Sequence, residues 1–190
     1  MNKFHKISVL AAGSVFLCSC AATSPDDKID YSRGSSAVSP AEKAMEMKLV
    51  KLTNELRAKK GLKPVKYHGG LSKMAREHSD FMSRNSGKFK VEASTITHFG
   101  FEARSAAASR EYDVNSMGEN VVSTTVKPNT AEEMMRAWIK SPVHYNVLTG
   151  TTFRYIGTGT RDSGSRVHGT LLMAAPAIGK LPKYVGPQGF

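Results

Sequence analysis

Only two cysteines occur in this 190-residue chain, and both, Cys18 and Cys20, fall within its first twenty residues. The rest of the chain has none to pair internally, so its fold must be held together by packing alone. Acids are also few: 16 against 27 lysines and arginines, for a formal charge of +11. Tryptophan occurs once, at Trp138. There is no HExxH zinc-protease motif, no GxSxG elbow and, beyond residue 20, no cysteine to serve as a nucleophile. No nucleic-acid recognition motif accompanies the basic charge, and nucleic acid is not expected as a partner. The one sustained apolar run near the start, Ile7–Leu17, is too short to span a bilayer comfortably.

That run belongs to a different device. Lys3 and Lys6 precede it without any acid, and Leu17-Cys18-Ser19-Cys20 ends it. This is the order of a secretory signal, and its end resembles the bacterial lipobox, with Cys20 as the lipidated residue. Cys18 is an unusual occupant of its position, and an ordinary cleaved signal is the alternative. The expectation is a signal peptide over 1–19 and a protein exported and anchored by lipid to the bacterial envelope, at the outer membrane. Removing residues 1–19, which carry two lysines and no acid, lowers the charge from +11 to +9. A basic exported protein is drawn to anionic lipid heads or envelope polymers. A solvated basic surface without a specific partner is the alternative.

Residues 20–38 are rich in Ser, Ala and Asp without a hydrophobic period, and read as a flexible tether. Residues 39–175 should form the folded domain and 176–190 a surface tail. Ser39-Pro40 starts a helix with Met45, Leu49, Leu52 and Leu56 at helical spacing, and Gly61 stops it. A short extended piece, Lys63–Tyr67, leads to a second helix whose stripe is Leu71, Met74, Ala75, Phe81 and Met82. His78 lies on that stripe and reads as a core histidine. Residues 86–117 show no sustained period and read as a long ordered loop carrying His98. Thr130 and Glu133 have the spacing of a capping box for a third helix, which holds Trp138. A short helical turn from Ser141-Pro142 to Gly150 comes next. Two strands, 153–160 and 167–175, are joined by the turn Asp162-Ser163-Gly164-Ser165. With the strand begun by "GENVV" at 118–122, the pattern is an α+β domain of helices flanking a small antiparallel sheet.

Glu119 puts a carboxylate where that strand enters an apolar setting. An ionised carboxylate entering a core unpaired costs several kcal/mol, so Glu119 needs a partner or water.

Five short stretches now coincide in order with a known family. "NELRAKKGLKPVKY", "HFGF", "MGENVV", "AWIKSPVHYNVL" and "YIGTGT" resemble the landmarks of the CAP (SCP-like) superfamily across roughly residues 45–175. The resemblance implies a three-layer α-β-α sandwich with a cleft lined by two histidines and two glutamates, which in the family often holds a divalent metal. His98 matches the first histidine, Glu119 the glutamate of the GEN motif and His144 the second histidine. The position of the second glutamate is held by Ser141; Glu133, on the same helix, is a weaker candidate because a capping role explains it. His168, on the last strand, could face the cleft or solvent, and a structural role is favoured. His98, Glu119 and His144 would be a reasonable zinc shell, with water in the fourth place. The resemblance also implies an extracytoplasmic module that binds small hydrophobic or lipid ligands, and a monomer is expected. A metal-assisted hydrolase using Glu119 as ligand or base is the competing expectation.

Overall fold

In the computed structural model, residues 29–89 and 95–179 are described. The signal peptide, Cys20 and residues 180–190 of the tail lie outside them. The first helix, α1 (Pro40–Lys59), begins as its sequence dictates: the Ser39 hydroxyl accepts from the Glu42 amide at 3.2 Å, and the Glu42 carboxylate accepts from the Ser39 amide at 2.8 Å. At its far end Asn54 and Arg57 hold the returning chain. The Asn54 amide group exchanges hydrogen bonds with the backbone of Val65, while the buried Arg57 guanidinium donates to the carbonyls of Lys63, Leu148 and Gly150. The stretch "NELR" is thus the clasp that closes α1 onto the 63–65 segment and the 148–150 turn.

After β1 (Lys66–Tyr67) come α2 (Gly69–Arg84), α3 (Phe101–Tyr112), β2 (Val114–Thr125), α4 (Thr130–Lys140), α5 (Pro142–Thr149), β3 (Tyr155–Asp162) and β4 (Arg166–Pro176). The sheet order is β1-β3-β4-β2. It is antiparallel except for β1, which pairs parallel to β3, a departure from the expected all-antiparallel sheet. Alternation along β4 divides the core. Val167, Leu171 and Met173 pack with Leu49, Met134 and Trp138 beneath α1 and α4, and Leu172 and Ala174 pack with Leu71, Ala75 and Ala108 beneath α2 and α3. Two helical layers enclose one sheet, the three-layer sandwich.

The α2 backbone lies directly on β3. A Cβ on Gly157 would fall 2.4 Å from Leu71, and one on Gly159 only 2.1 Å from the Arg76 nitrogen. "GTG" is therefore required by close approach. The Ser79 hydroxyl donates to the Gly159 carbonyl at 2.9 Å and seals the contact.

Four expectations need correction. Residues 86–117 are not all loop: α3 occupies 101–112, and β2 starts at Val114, well before the GEN motif. The helix escaped notice because it buries only Ala108, so its sequence carries helix propensity (Ala103, Ala106, Ala107, Ala108) without an apolar stripe. The proposed capping box on α4 does not form. Asn129 is the N-cap, Thr130 bonds the backbone of Lys127, and Glu133 engages Asn129 and Arg136. The parallel β1–β3 pair is the third. The fourth concerns the described part of the tether, 29–38, which packs as a strap along α2. There Asn85 exchanges hydrogen bonds with the Asp30 backbone, Arg84 pairs with the Asp30 carboxylate, and Arg33 pairs with Glu77 at 2.8 Å.

The strap's contacts make a measurable prediction. A chain starting at Ser39 loses both Asn85–Asp30 hydrogen bonds, worth about 0.5–1.5 kcal/mol each. Its urea midpoint should fall below that of a chain starting at residue 20. Equal midpoints would show that the strap is passive.

Candidate functional site

Glu119 on β2 points to the α2 face of the sheet, and its carboxylate is almost wholly buried. Its partner comes from α3. Arg104 Nε donates to Oε2 at 2.9 Å, and Nη2 donates to both oxygens, at 2.9 and 2.6 Å. Arg104 Nη1 donates to the Phe99 carbonyl at 2.8 Å and fixes the turn next to His98. His98 completes the set, with Nδ1 2.9 Å from Glu119 Oε1. Burial pushes the Glu119 pKa upward, but the His98 hydrogen bond and the Arg104 charge outweigh it and hold the carboxyl below its ordinary value. Because Glu119 is ionised, His98 Nδ1 is the donor and Nε2 is left facing outward from a half-exposed ring.

The three residues of the GEN motif have separate jobs. Gly118 lets Val147 and Phe153 approach to 3.0–3.2 Å of where a Cβ would sit. Glu119 gathers Arg104 and His98. Asn120 Nδ2 donates to the His144 carbonyl at 2.9 Å and so ties α5 to the strand. His144 is thereby brought beside His98, with ring centroids 6.4 Å apart. Burial lowers the His144 pKa, and the neighbouring His98 ring adds to the effect.

His98, Glu119 and His144 thus share one place. Glu133 is not brought there, being bound to Arg136 and Asn129 on the outer side of α4. Ser141 stands at the α4–α5 junction, where its side chain does not cap α5. His78 is buried, with Nε2 2.7 Å from the Thr97 carbonyl, and anchors the turn that carries His98. His168 is also buried, in keeping with a structural role. Sequence reasoning missed Arg104, the residue that answers the question Glu119 raises. The available signal was an arginine six residues after His98 in an alanine-rich, helix-prone stretch.

A zinc ion held by His98, Glu119 and His144 does not fit this donor set. Both Glu119 oxygens already accept from Arg104, whose fixed positive charge stands where a dication's would be felt. Among the described residues, no group of three or more His, Cys, Asp or Glu is arranged to hold a metal. What the arrangement does is hold His98 in one orientation and one tautomer.

Two outcomes test this geometry. Arg104→Met strands a buried carboxylate and should cost about 3–5 kcal/mol in urea unfolding, while Arg104→Met with Glu119→Leu should recover much of it. A double variant as unstable as the single would sink the ion-pair reading. The second outcome concerns pH. His78 and His168 are pushed by burial down to about 4, with nearby arginine charge (Arg104 and Arg166) adding to the effect. The unfolded chain takes up these protons near pH 6.5 and the folded protein only near 4, so the unfolded state binds more protons between those values. Stability should be full above pH 6.5 and fall as pH drops towards 4, by as much as about 1.4 kcal/mol per pH unit for each histidine. Melting temperatures across that range, flattened in His168→Leu, would check it.

With this geometry in view, comparison with known proteins is specific. A family model described as CAP, the cysteine-rich secretory protein family, matches residues 50–172. The uncharacterized protein YkwD of Bacillus subtilis (strain 168) is 31% identical over 128 residues, or 64% of this chain. The chain spans only 44% of that relative's length. An outer surface protein from Borrelia burgdorferi superposes with a TM-score of 0.58 at 21% identity, covering 76% of this chain and 99% of its own. An extracellular protein containing an SCP domain, from Bacillus anthracis, gives 0.54 at 17%, covering 73% and 44%. These two show the shared fold. The family match covers more than half of the chain, and by it the protein belongs to the CAP, or cysteine-rich secretory protein, family.

Proposed function

We propose that this protein is exported by residues 1–19, anchored to the envelope by lipid on Cys20, and works outside the cytoplasm as a module that binds a small hydrophobic or lipid ligand. Export is supported by the order of charged, apolar and small residues up to Cys20, and by the structural neighbours, one an outer surface protein and one an extracellular protein. Its charge of +9 after residue 19 favours contact with anionic lipid heads or envelope polymers.

The observation that carries binding over hydrolysis is the saturation of Glu119. A carboxylate that accepts four hydrogen bonds from Arg104 and His98 is not free to take a proton from water or to enter a metal shell. Its role is to orient the rim of a cleft.

Two measurements test the proposal. Labelled palmitate should enter the full chain and not Cys20→Ala; equal labelling would end the anchoring claim. Mass spectrometry of organic extracts from the protein purified out of its envelope should find a co-purifying lipid. Metal-dependent turnover lost in His98→Ala and His144→Ala would overturn the binding reading in favour of a hydrolase.

A further inference from the structure

A second concave feature lies behind the His98 cleft, between α2, α3 and the strap. α3 is seated by Ala108 against the sheet and by Tyr112, whose ring covers Gly70 so closely that a Cβ there would meet it at 2.4 Å. Elsewhere α3 stands off from α2 and leaves a groove of about 380 Å³. Met74, His78 and Phe81 of α2 form its floor. The α3 wall offers two methyl groups one turn apart, Ala103 and Ala107, and Arg104, which also lines the groove while Glu119 holds its guanidinium. The strap closes the third side: the Tyr31 ring lies 5.3 Å from Phe99 and 6.4 Å from Phe81. Gly34 makes that seating possible, since a Cβ there would fall 1.9 Å from the Glu77 carbonyl oxygen.

The chemistry of the groove differs from that of the protein's surface. The interior is mainly aliphatic and aromatic, with His78 and an Arg104 whose charge Glu119 already answers as its polar members. The rim carries two cations and two acids, Arg33 paired with Glu77, and Lys73 and Glu111, neither in an ion pair among the described residues. The charge of Glu111 reaches Arg33 as well. A chain of net charge +9 after residue 19 thus surrounds this opening with rim charges that cancel, so a bare anion gains nothing from the rim. A head group bearing both signs does: its phosphate can face Lys73 and Arg33 while its ammonium faces Glu111 and Glu77. The volume lies near the low end of the roughly 300–1,000 Å³ typical of small-molecule sites, room for one chain rather than two.

We infer that this groove binds a single-chain zwitterionic amphiphile of the lysophosphatidylethanolamine class, its acyl chain between Met74 and Ala107 and its head group at the Lys73–Glu111 rim. The inference rests on the binding-module reading and gives it a place and a ligand class.

The experiment uses the chain from residue 20 onward with Cys20→Ser, titrated in a calorimeter with palmitoyl-lysophosphatidylethanolamine, palmitate and phosphoethanolamine. The lysolipid should bind at least tenfold more tightly than either fragment. Ala107→Trp, which fills the groove, and Lys73→Glu, a solvent-facing change that leaves the core intact, should each weaken it at least tenfold. Gly34→Val, which lifts the strap, should do likewise. Palmitate binding as tightly as the lysolipid would overturn the head-group assignment. Lysolipid affinity unchanged in Lys73→Glu and in whichever of the other two variants retains its melting transition would overturn the site. If the envelope-purified protein carries a lipid that Ala107→Trp also carries, the groove is refuted and the binding module stands. If neither carries one and no amphiphile binds, both fall.

Discussion

Everything on one side of the sheet depends on how closely α2 lies to β3. Two glycines two residues apart remove the side chains that would hold the helix off, and the helix axis drops until backbone meets backbone. At that distance Ser72 and Ser79 reach β3 directly, Ser72 accepting from the Thr158 amide and Ser79 donating to the Gly159 carbonyl. His78 is then pressed into the core near Glu119, and Met74 and Phe81 become the floor of the groove. A side chain on either glycine would move all of these together.

With no cysteine in the described domain, buried charge does some of the work that cross-links do elsewhere. Glu46 of α1 is inaccessible to solvent, is held by Arg76 of α2 at 2.6 Å, and accepts from the Thr160 amide of β3. Three elements meet at one carboxylate. Burial raises the Glu46 pKa despite Arg76, which marks the desolvation this contact costs. Such a pair specifies arrangement more than it adds stability. Arg57, buried among three carbonyls, and Glu119, gripped by Arg104, obey the same logic: each is committed by geometry that apolar packing would leave free to slide.

The candidate cleft is therefore built from the inside. Arg104 neutralises Glu119, Glu119 orients His98, Phe99 is fixed by the same guanidinium, and Asn120 carries His144 into place through its backbone. The exposed surfaces that result are two imidazole rings and the Phe99 ring, next to a groove closed by Tyr31.

Much of this was legible in the order of residues. The N-cap and proline at Ser39-Pro40, the stripe on α2, the Ser141-Pro142 turn, the Asp162–Ser165 hairpin and the five family stretches all act locally, through propensity, period or turn chemistry, and local rules can be read along a chain. The resemblance also named His98, Glu119 and His144, which the fold brings together. What the sequence could not show was Arg104. α3 is a helix without an apolar stripe, because its inner face touches the sheet at a single alanine. The strap was equally hidden: a polar, glycine-bearing segment looks like a tether until Asn85 and Arg84 offer its backbone and carboxylate their partners. Both outcomes turn on which polar groups meet across 15 residues in one case and about 55 in the other. Pairing between buried charges is decided by the three-dimensional neighbourhood, where desolvation makes a partner obligatory, and no local period records it.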